Sequence, residues 1–536
     1  VTAYRHDGEI SAMDWFCGAG GSSQGMDAVP GVRVARAANH WDEAIATHAL
    51  NFPAVDHWKG DIRQAPVERW PVTQLFWASP ECPKWTVARG KRRDFHNTTQ
   101  GELPGLERPR NPEDERSRAL MEEVPMYLRG VQERGGLVLA GVVENVTDCR
   151  AWDQWDRWLG ELHKLGYTTR TIAFNSMHAR SQTLGQPPQS RDRLYVAYWH
   201  RTLGRTPDWD KWLRPRAHCP GCDTTVSALQ VFKRAGADMG RYGRTGQYVY
   251  RCPNTRCRNQ VLEPAVRPAL TVIDWSLSGT RIGDRKRTAA APEGLKPKTM
   301  ARIRAGLARY AQPVLVPSGG TWRTEATSVT ATMPARTTRE NDALAIPPLL
   351  IPAEGRDGKE AATTHTQTAH AETGLAWIPP TGLPFEPFIT PVRGGGDAEK
   401  ARALTVPLHA VTAGGNHHGL VTPPMGGQAL QTLLIPYYGT GRALRADQPI
   451  GAITTKDRWA LVQSPADIDI DDVLYRMLEP HEIGRGMAFA DTYRLSPRSK
   501  RHRVRLYGNA VTPPVAELLV SALAEAITGE TLEVAA

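Results

Sequence analysis

From about residue 10 to residue 200, short apolar runs alternate with amphipathic stretches of helical period. Few folds accommodate that alternation. A strand apolar at nearly every position is buried on both faces, and helices between such strands supply the cover. Strands are expected at 12–16, 32–37, 74–78, 137–144 and 193–198, with helices at 41–51, 116–134 and 151–165. The expected fold class is α/β, a Rossmann-like parallel sheet with helices on both faces.

Near residue 200 the pattern stops. The stretch to about 465 is rich in Pro, Thr, Gly and Arg, with one helical pattern at 296–311, and reads as an irregular, mostly β insert. Within it a loose repeat begins at Leu315-Val316-Pro317, Leu350-Ile351-Pro352, Ile389-Thr390-Pro391 and Leu434-Ile435-Pro436. The first three units close at Ile346-Pro347-Pro348, Ile378-Pro379-Pro380 and Val421-Thr422-Pro423-Pro424. Such units suggest short strand pairs in series. Helical period returns at 473–489 and 514–527. The expected organisation is a domain at 1–200, an insert at 201–465 with its repeats at about 313–465, and a closing segment at 466–536 that completes the first domain.

Four of the seven cysteines fall between 219 and 257. Cys219 and Cys222 form a C-x2-C knuckle, and Cys252 and Cys257 a C-x4-C knuckle, both beside proline. Two such knuckles suit a zinc ribbon at about 217–260 holding a structural Zn2+. Between them Lys233, Arg234, Arg241, Arg244 and Arg251 interleave with Phe232, Tyr242, Tyr248 and Tyr250, a mixture suited to phosphate contact and base stacking. The net charge of +10 favours a polyanionic partner. This cysteine pattern argues against a secreted disulfide framework, residues 1–9 are polar, and no apolar run approaches the roughly 18 residues that span a bilayer. A cytoplasmic location and no membrane partner are expected.

The chemistry-bearing segments follow strands. Asp14-Trp15-Phe16-Cys17-Gly18-Ala19-Gly20-Gly21 runs from a strand through a glycine-rich turn that lets backbone approach a ligand. Asn39-His40-Trp41-Asp42 follows the second strand, where a nucleoside-binding sheet reads ribose and base. Gly60-Asp61-Ile62 offers an acceptor for an exocyclic amine. Cys82 sits on a loop after 74–78, where α/β enzymes place nucleophiles, and the cations Arg89, Lys91, Arg92 and Arg93 follow. Glu144 at a strand exit is a candidate acid or base. In Gln189-Ser190-Arg191-Asp192-Arg193, the two arginines share a face.

In this order the motifs resemble the C5-cytosine methyltransferase family, with Gly508-Asn509-Ala510-Val511 matching its closing motif. The resemblance implies a sheet that binds S-adenosylmethionine through Phe16, Gly18, Ala19, Gly20, Gly21, His40, Trp41, Asp61, Ile62, Asn509 and Val511. It implies catalysis by Cys82, which attacks C6 of cytosine, by Glu144, which protonates N3, and by Arg191 with Arg193, which hold the base. It also implies flipping of the target base and target recognition by the insert. Three positions depart from the pattern. His40 stands where the family usually has a glutamate for the ribose, and Glu81 and Pro83 flank the cysteine where it usually has proline and glutamine. A carboxylate beside the thiol raises its pKa unless Lys84 or Arg191 offsets it.

The expected partner is double-stranded DNA. Since part of the family modifies tRNA, an RNA substrate is the first alternative; a catalytically weak DNA-binding homologue and transfer of a group other than methyl are others. A companion restriction enzyme is among the partners left open, and oligomeric state is not legible.

Overall fold

The computed structural model describes residues 8–80, the backbone from 112 and the side chains from 120 as far as 300 apart from isolated positions after 267, short strands and a few flanking residues between 301 and 473, and residues 474–535. The chain forms two compact units: one comprises Val1–Ile273, Thr405–Asn416 and Glu479–Ala536, the other Asp274–Leu404 and His417–Leu478.

The first unit is built on seven strands: β1 (Ile10–Trp15), β2 (Val32–Asn39), β3 (Asp56–Lys59), β4 (Leu75–Ala78), β5 (Ala140–Asn145), β6 (Tyr167–Asn175) and, after the two-residue β7 (Gln189–Ser190), β8 (Asp192–His200). Their order is β3-β2-β1-β4-β5-β8-β6. The first five run parallel, but β8 is antiparallel to both β5 and β6. The sheet is therefore mixed, which corrects the expectation of a parallel one. A strand buried on both faces carries the same apolar signature in either direction. Two strands escaped the sequence reading: β3 is only Asp-His-Trp-Lys, and the first half of β6 is polar.

Helices cover both faces. Along β1, Ile10 and Ala12 join a core shared with α1 (Gly21–Asp27), α2 (Asp42–Asn51) and the C-terminal helix, while Met13 and Trp15 join a core shared with α3 (Pro112–Glu133) and α4 (Trp155–Lys164). In β4, Leu75 and Trp77 face the first core and Phe76 and Ala78 the second. This is the period-2 alternation of a strand, apolar on both sides. Inside α3, Pro125 has no N–H to give to the Met121 carbonyl four residues back. The Trp158 indole of α4 supplies the missing donor at 2.8 Å.

After α5 (Trp209–Leu213) come β9 (Arg216–Cys219) paired with β10 (Thr224–Ser227), and β11 (Leu229–Phe232) paired with β12 (Tyr248–Arg251) and β13 (Val261–Leu262). These strands carry the four-cysteine module. Tyr248 and Tyr250, two apart on β12, point inward and are fully buried. Tyr250 and Tyr242 enclose His178, whose ring centroid lies 4.4 Å from that of Tyr242 and 4.9 Å from that of Tyr250. The tyrosines read as a base-stacking surface are thus packing groups. Arg241 pairs with Asp148, Arg251 donates to the Asn259 carbonyl, and Lys233 donates to the carbonyls of Gly243 and Arg244.

The chain ends in α6 (Pro480–Gly486), α7 (Lys500–Asn509) and α8 (Pro513–Thr528). The stretch 473–489, expected to be helical throughout, instead opens as a strand, Leu474–Met477, before α6. Pro480 cannot continue a strand ladder but suits the first turn of a helix. An apolar window within Lys500–Thr528 does reach membrane-spanning length and hydropathy, which the sequence reading missed, but 94% of it is buried in this unit.

In the second unit three of the four proline-marked segments form the same three-stranded pattern. Pro317 lies opposite Asp342, Pro391 opposite His418, and Pro436 opposite Trp459. Two residues before each proline, Leu315 pairs with Thr327, Ile389 with Arg402, and Leu434 with Leu444. Proline at a strand's end costs the ladder little, because its missing N–H lies at the margin. The segments 350–352 and 378–380, and most of 296–311, lie outside the described residues.

Candidate active site

The strand register gathers the sequence motifs at one edge of the sheet. Trp15 ends β1 level with Ala38 of β2 and Ala78 of β4, Asn39 of β2 lies beside Lys59 of β3, and Ala78 beside Val143 of β5. Phe16, His40 with Trp41, Gly60 with Asp61, Ser79 with Pro80, and Glu144 therefore emerge together. Chain order reverses between β1 and β4, and open α/β sheets bind ligands at such a point.

The glycine turn divides its labour. Phe16 takes a positive φ of 61°, and Gly18 and Gly20 have φ of 53° and 85°. A side chain added at Gly18 would meet nothing nearer than the Phe16 carbonyl at 3.9 Å, so this glycine faces open space. One at Gly20 would meet the Tyr493 hydroxyl at 2.6 Å, His48 at 3.0 Å and Phe52 at 3.1 Å, and one at Gly21 would collide with the Val511 carbonyl. Ala19 is fully buried and its carbonyl accepts from the Tyr493 hydroxyl. Gly18 thus faces open space, whereas Gly20 and Gly21 permit close packing.

That packing joins the two ends of the motif series. Val511 is buried against α1, and α8 lies so close that a side chain at Gly25 would strike Pro513 and Ala516. Arg191, fully buried, donates to the Gly508 carbonyl from Nη1 and Nη2 at 3.2 Å and to the Ala510 carbonyl from Nη2 at 3.1 Å. Burial pulls its guanidinium down to about 9. These bonds hold the C-terminal end of α7, and with it the exposed Asn509, against the strand that carries Gln189.

Around the second strand, Trp41 precedes α2, with the Arg505 guanidinium 4.6 Å above its ring and the His502 ring 6.2 Å away edge-on. His40 is exposed. Asp61 caps the turn 62–64 and is bound twice to Arg63, at 3.1 and 2.6 Å; Ile62 is buried beneath. Arg505 and His502 were not anticipated, and nothing in the local sequence ties α7 to Trp41.

At the catalytic side, Glu144 Oε1 lies 3.0 Å from Arg193 Nε, with both side chains mostly buried. Cys82, Glu81, Pro83, Lys84 and the cations at 89–93 lie outside the described residues. Pro80, the last described residue before them, leaves the same edge. Cys17 and Cys149, the described free cysteines outside the four-cysteine module, are buried, and burial pushes the Cys17 thiol well up. A thiol so placed stays protonated and is a poor nucleophile.

In the four-cysteine module the sulfurs of Cys219, Cys222, Cys252 and Cys257 all lie within 4.8 Å of one another. Cys219 and Cys257 are 3.7 Å apart and Cys222 and Cys252 4.0 Å apart. A tetrahedron with metal–sulfur bonds of about 2.3 Å has an edge of about 3.8 Å. Gly221 is needed at the knuckle because a side chain there would meet Cys257 Cβ at 2.9 Å. The set can hold a tetrahedral ion.

A Rossmann-like sheet in which β8 alone is reversed, with a glycine turn after β1 and a carboxylate at the end of β5, is a methyltransferase-type fold. The model of the family described as C-5 cytosine-specific DNA methylase matches residues 10–104. Over that segment, about the first fifth of the chain, the protein is similar to the C-5 cytosine-specific DNA methylase family. No curated protein sequence matches it. Among solved structures it is similar to a mutant of Spodoptera frugiperda DNMT2, at 13% identity over 96% of this chain and 100% of that one with a TM-score of 0.43. It is also similar to the Entamoeba histolytica methyltransferase EhMeth, at 10% identity over 96% and 98% with a TM-score of 0.39.

Proposed function

We propose that this protein transfers a methyl group from S-adenosylmethionine to C5 of a cytosine in double-stranded DNA. The observation that carries the reading is the Glu144–Arg193 pair at the edge where the glycine turn and the Cys82 loop both begin. S-adenosylmethionine supplies an electrophilic methyl group on sulfonium. Phe16, Gly18 and Trp41 would hold it, since Gly18 faces open space and Trp41 offers a ring. The thiolate of Cys82 adds to C6 of a flipped base while Glu144 gives a proton to N3; the electron density thus placed at C5 takes the methyl. Loss of the C5 proton and elimination of the thiolate restore the aromatic ring. Arg193 holds the Glu144 carboxyl in place, and Arg191 fixes the closing motif.

The insert, at 201–465, reads the target, and the net charge of +10 supports a nucleic-acid partner. The four cysteines hold a structural zinc ion, supported by sulfur spacings that match a tetrahedral edge.

The test is incubation of the purified protein with S-adenosylmethionine and either duplex DNA of mixed sequence or tRNA, followed by nucleoside mass spectrometry. We expect 5-methyldeoxycytidine from DNA, absent with Cys82→Ala. Methylation of the RNA alone would replace DNA as the substrate, and no modified cytosine in either would overturn the activity.

A further inference from the structure

Beneath the glycine turn runs a chain of buried polar groups that the transfer reaction does not use. Asp14 at the end of β1 is fully buried, and its Oδ2 accepts from the hydroxyls of Ser22 at 2.5 Å and Ser23 at 2.7 Å in the first turn of α1. This carboxylate ties the strand before the turn to the helix after it, across the loop that carries Phe16, Gly18 and Gly20. With Asp14 ionised, the single hydroxyl proton of Ser23 goes to its carboxylate, and the Ser23 oxygen then accepts from His48 Nε2, 2.8 Å away. A neutral imidazole protonated at Nε2 has a bare Nδ1, and His57 Nε2 donates to that atom at 2.8 Å. His48 is neutral, since burial pulls it down to about 3.

We infer that the chain His57–His48–Ser23–Asp14 sets the conformation of the glycine turn from outside the cofactor site, with the half-buried His57 as the donor that fixes the His48 tautomer. These are positioning residues. His48 also packs directly on the turn, 3.0 Å from where a side chain at Gly20 would begin. Without a partner, Nδ1 is unmet in either tautomer, so the bond that favours the Nε2–H form is lost and the Nδ1–H form becomes accessible. Nε2 would then become an acceptor, Ser23 would turn its proton to His48, and one of the two hydroxyl bonds to Asp14 would break. The other titratable and charged groups facing the chain are Cys17 and Tyr493 near Asp14, and Asp56 beside His57, itself paired with Arg36 of β2.

The importance of the turn for cofactor rests on the function proposed above; the clamp itself does not. Amide hydrogen exchange over residues 16–23 in the cofactor-free full chain, and calorimetric affinity for S-adenosylmethionine, would be compared in wild type, His57→Leu and His57→Gln. We expect exchange at least tenfold faster and binding at least fivefold weaker in His57→Leu. His57→Gln, whose amide can still donate, should return both to within about twofold of wild type. Selective histidine labelling should show His48 in the Nε2–H form in wild type and shifted to Nδ1–H in His57→Leu. Unchanged exchange in His57→Leu, or exchange in His57→Gln as fast as in His57→Leu, overturns the inference. A wild type that binds no S-adenosylmethionine removes the cofactor role of the turn, while the exchange comparison still decides the clamp.

Discussion

Arg193 Nε lies 3.0 Å from Glu144 Oε1, linking the end of β5 to the start of β8. The antiparallel register sets Glu144 opposite Tyr195, two residues past Arg193, so the pair runs diagonally between neighbouring strands. Glu144→Gln keeps the shape of the carboxyl and removes its proton chemistry. It should lower the methylation rate by about 100-fold or more while leaving affinity for S-adenosylmethionine within twofold, as single-turnover kinetics and calorimetry would show. A weakened affinity would instead place Glu144 in the cofactor site.

The ribbon should carry one zinc ion per chain by elemental analysis. Cys252→Ser should lose it and lower the melting temperature by about 5–10 °C, because Cys219 and Cys252 sit in one cluster with Ala173 of β6. Full metal content in the variant would refute the four-sulfur site.

His178 is buried between Tyr242 and Tyr250 with neither ring nitrogen in a conventional hydrogen bond, and burial pulls it down to about 3. A folded-state pKa below the unfolded 6.5 means that the unfolded chain binds the extra proton. The stability is complete above pH 6.5 and declines as pH falls towards 3, by up to about 1.4 kcal/mol per pH unit. Buried Asp14, pushed up to about 7, acts in the opposite sense, since its folded form holds a proton that the unfolded chain gives up between about 4 and 7. The informative quantity is thus the difference between variants. Denaturant titrations from pH 7 to 5 should show His178→Phe losing less stability than wild type; equal slopes would mean that the imidazole titrates normally.

Pro125 and Trp158 form a donor exchange at the Met121 carbonyl. Trp158→Phe leaves that buried oxygen unmet and should cost about 1–3 kcal/mol beyond its loss of packing. Adding Pro125→Ala restores a helical N–H four residues along, so the double variant should recover part of the loss. A cycle with no coupling would show that the carbonyl finds another donor.

Much of the fold was legible because β1, β4 and β5 are apolar on both faces and their motifs follow at fixed points. Strand direction was not, since Val196 and Ala197 are buried whichever way β8 runs. The tyrosines of β12 misled because basic neighbours suggested a surface, although the alternation Tyr248-Val249-Tyr250-Arg251 already marked one inward face. The glycine pair at 20–21 was read as ligand-binding, and only the approach of Tyr493 and Val511 from the far end of the chain reveals it as packing. The His57–His48–Ser23–Asp14 chain draws one group from each of four elements, so no local pattern announces it.

One short pairing changes how the protein can be taken apart. Leu408, buried in the first unit, donates its N–H to the Pro188 carbonyl at 2.9 Å, and Leu408–His409 lies parallel to β7 just before Arg191. The second unit is thus threaded as two separate lengths, 274–404 and 417–478, with a stitch into the first unit between them. A chimera that exchanged 274–478 as a single cassette would pull out that stitch and bare the edge of β7. Grafting between relatives must therefore swap two cassettes and leave 405–416 in its own chassis.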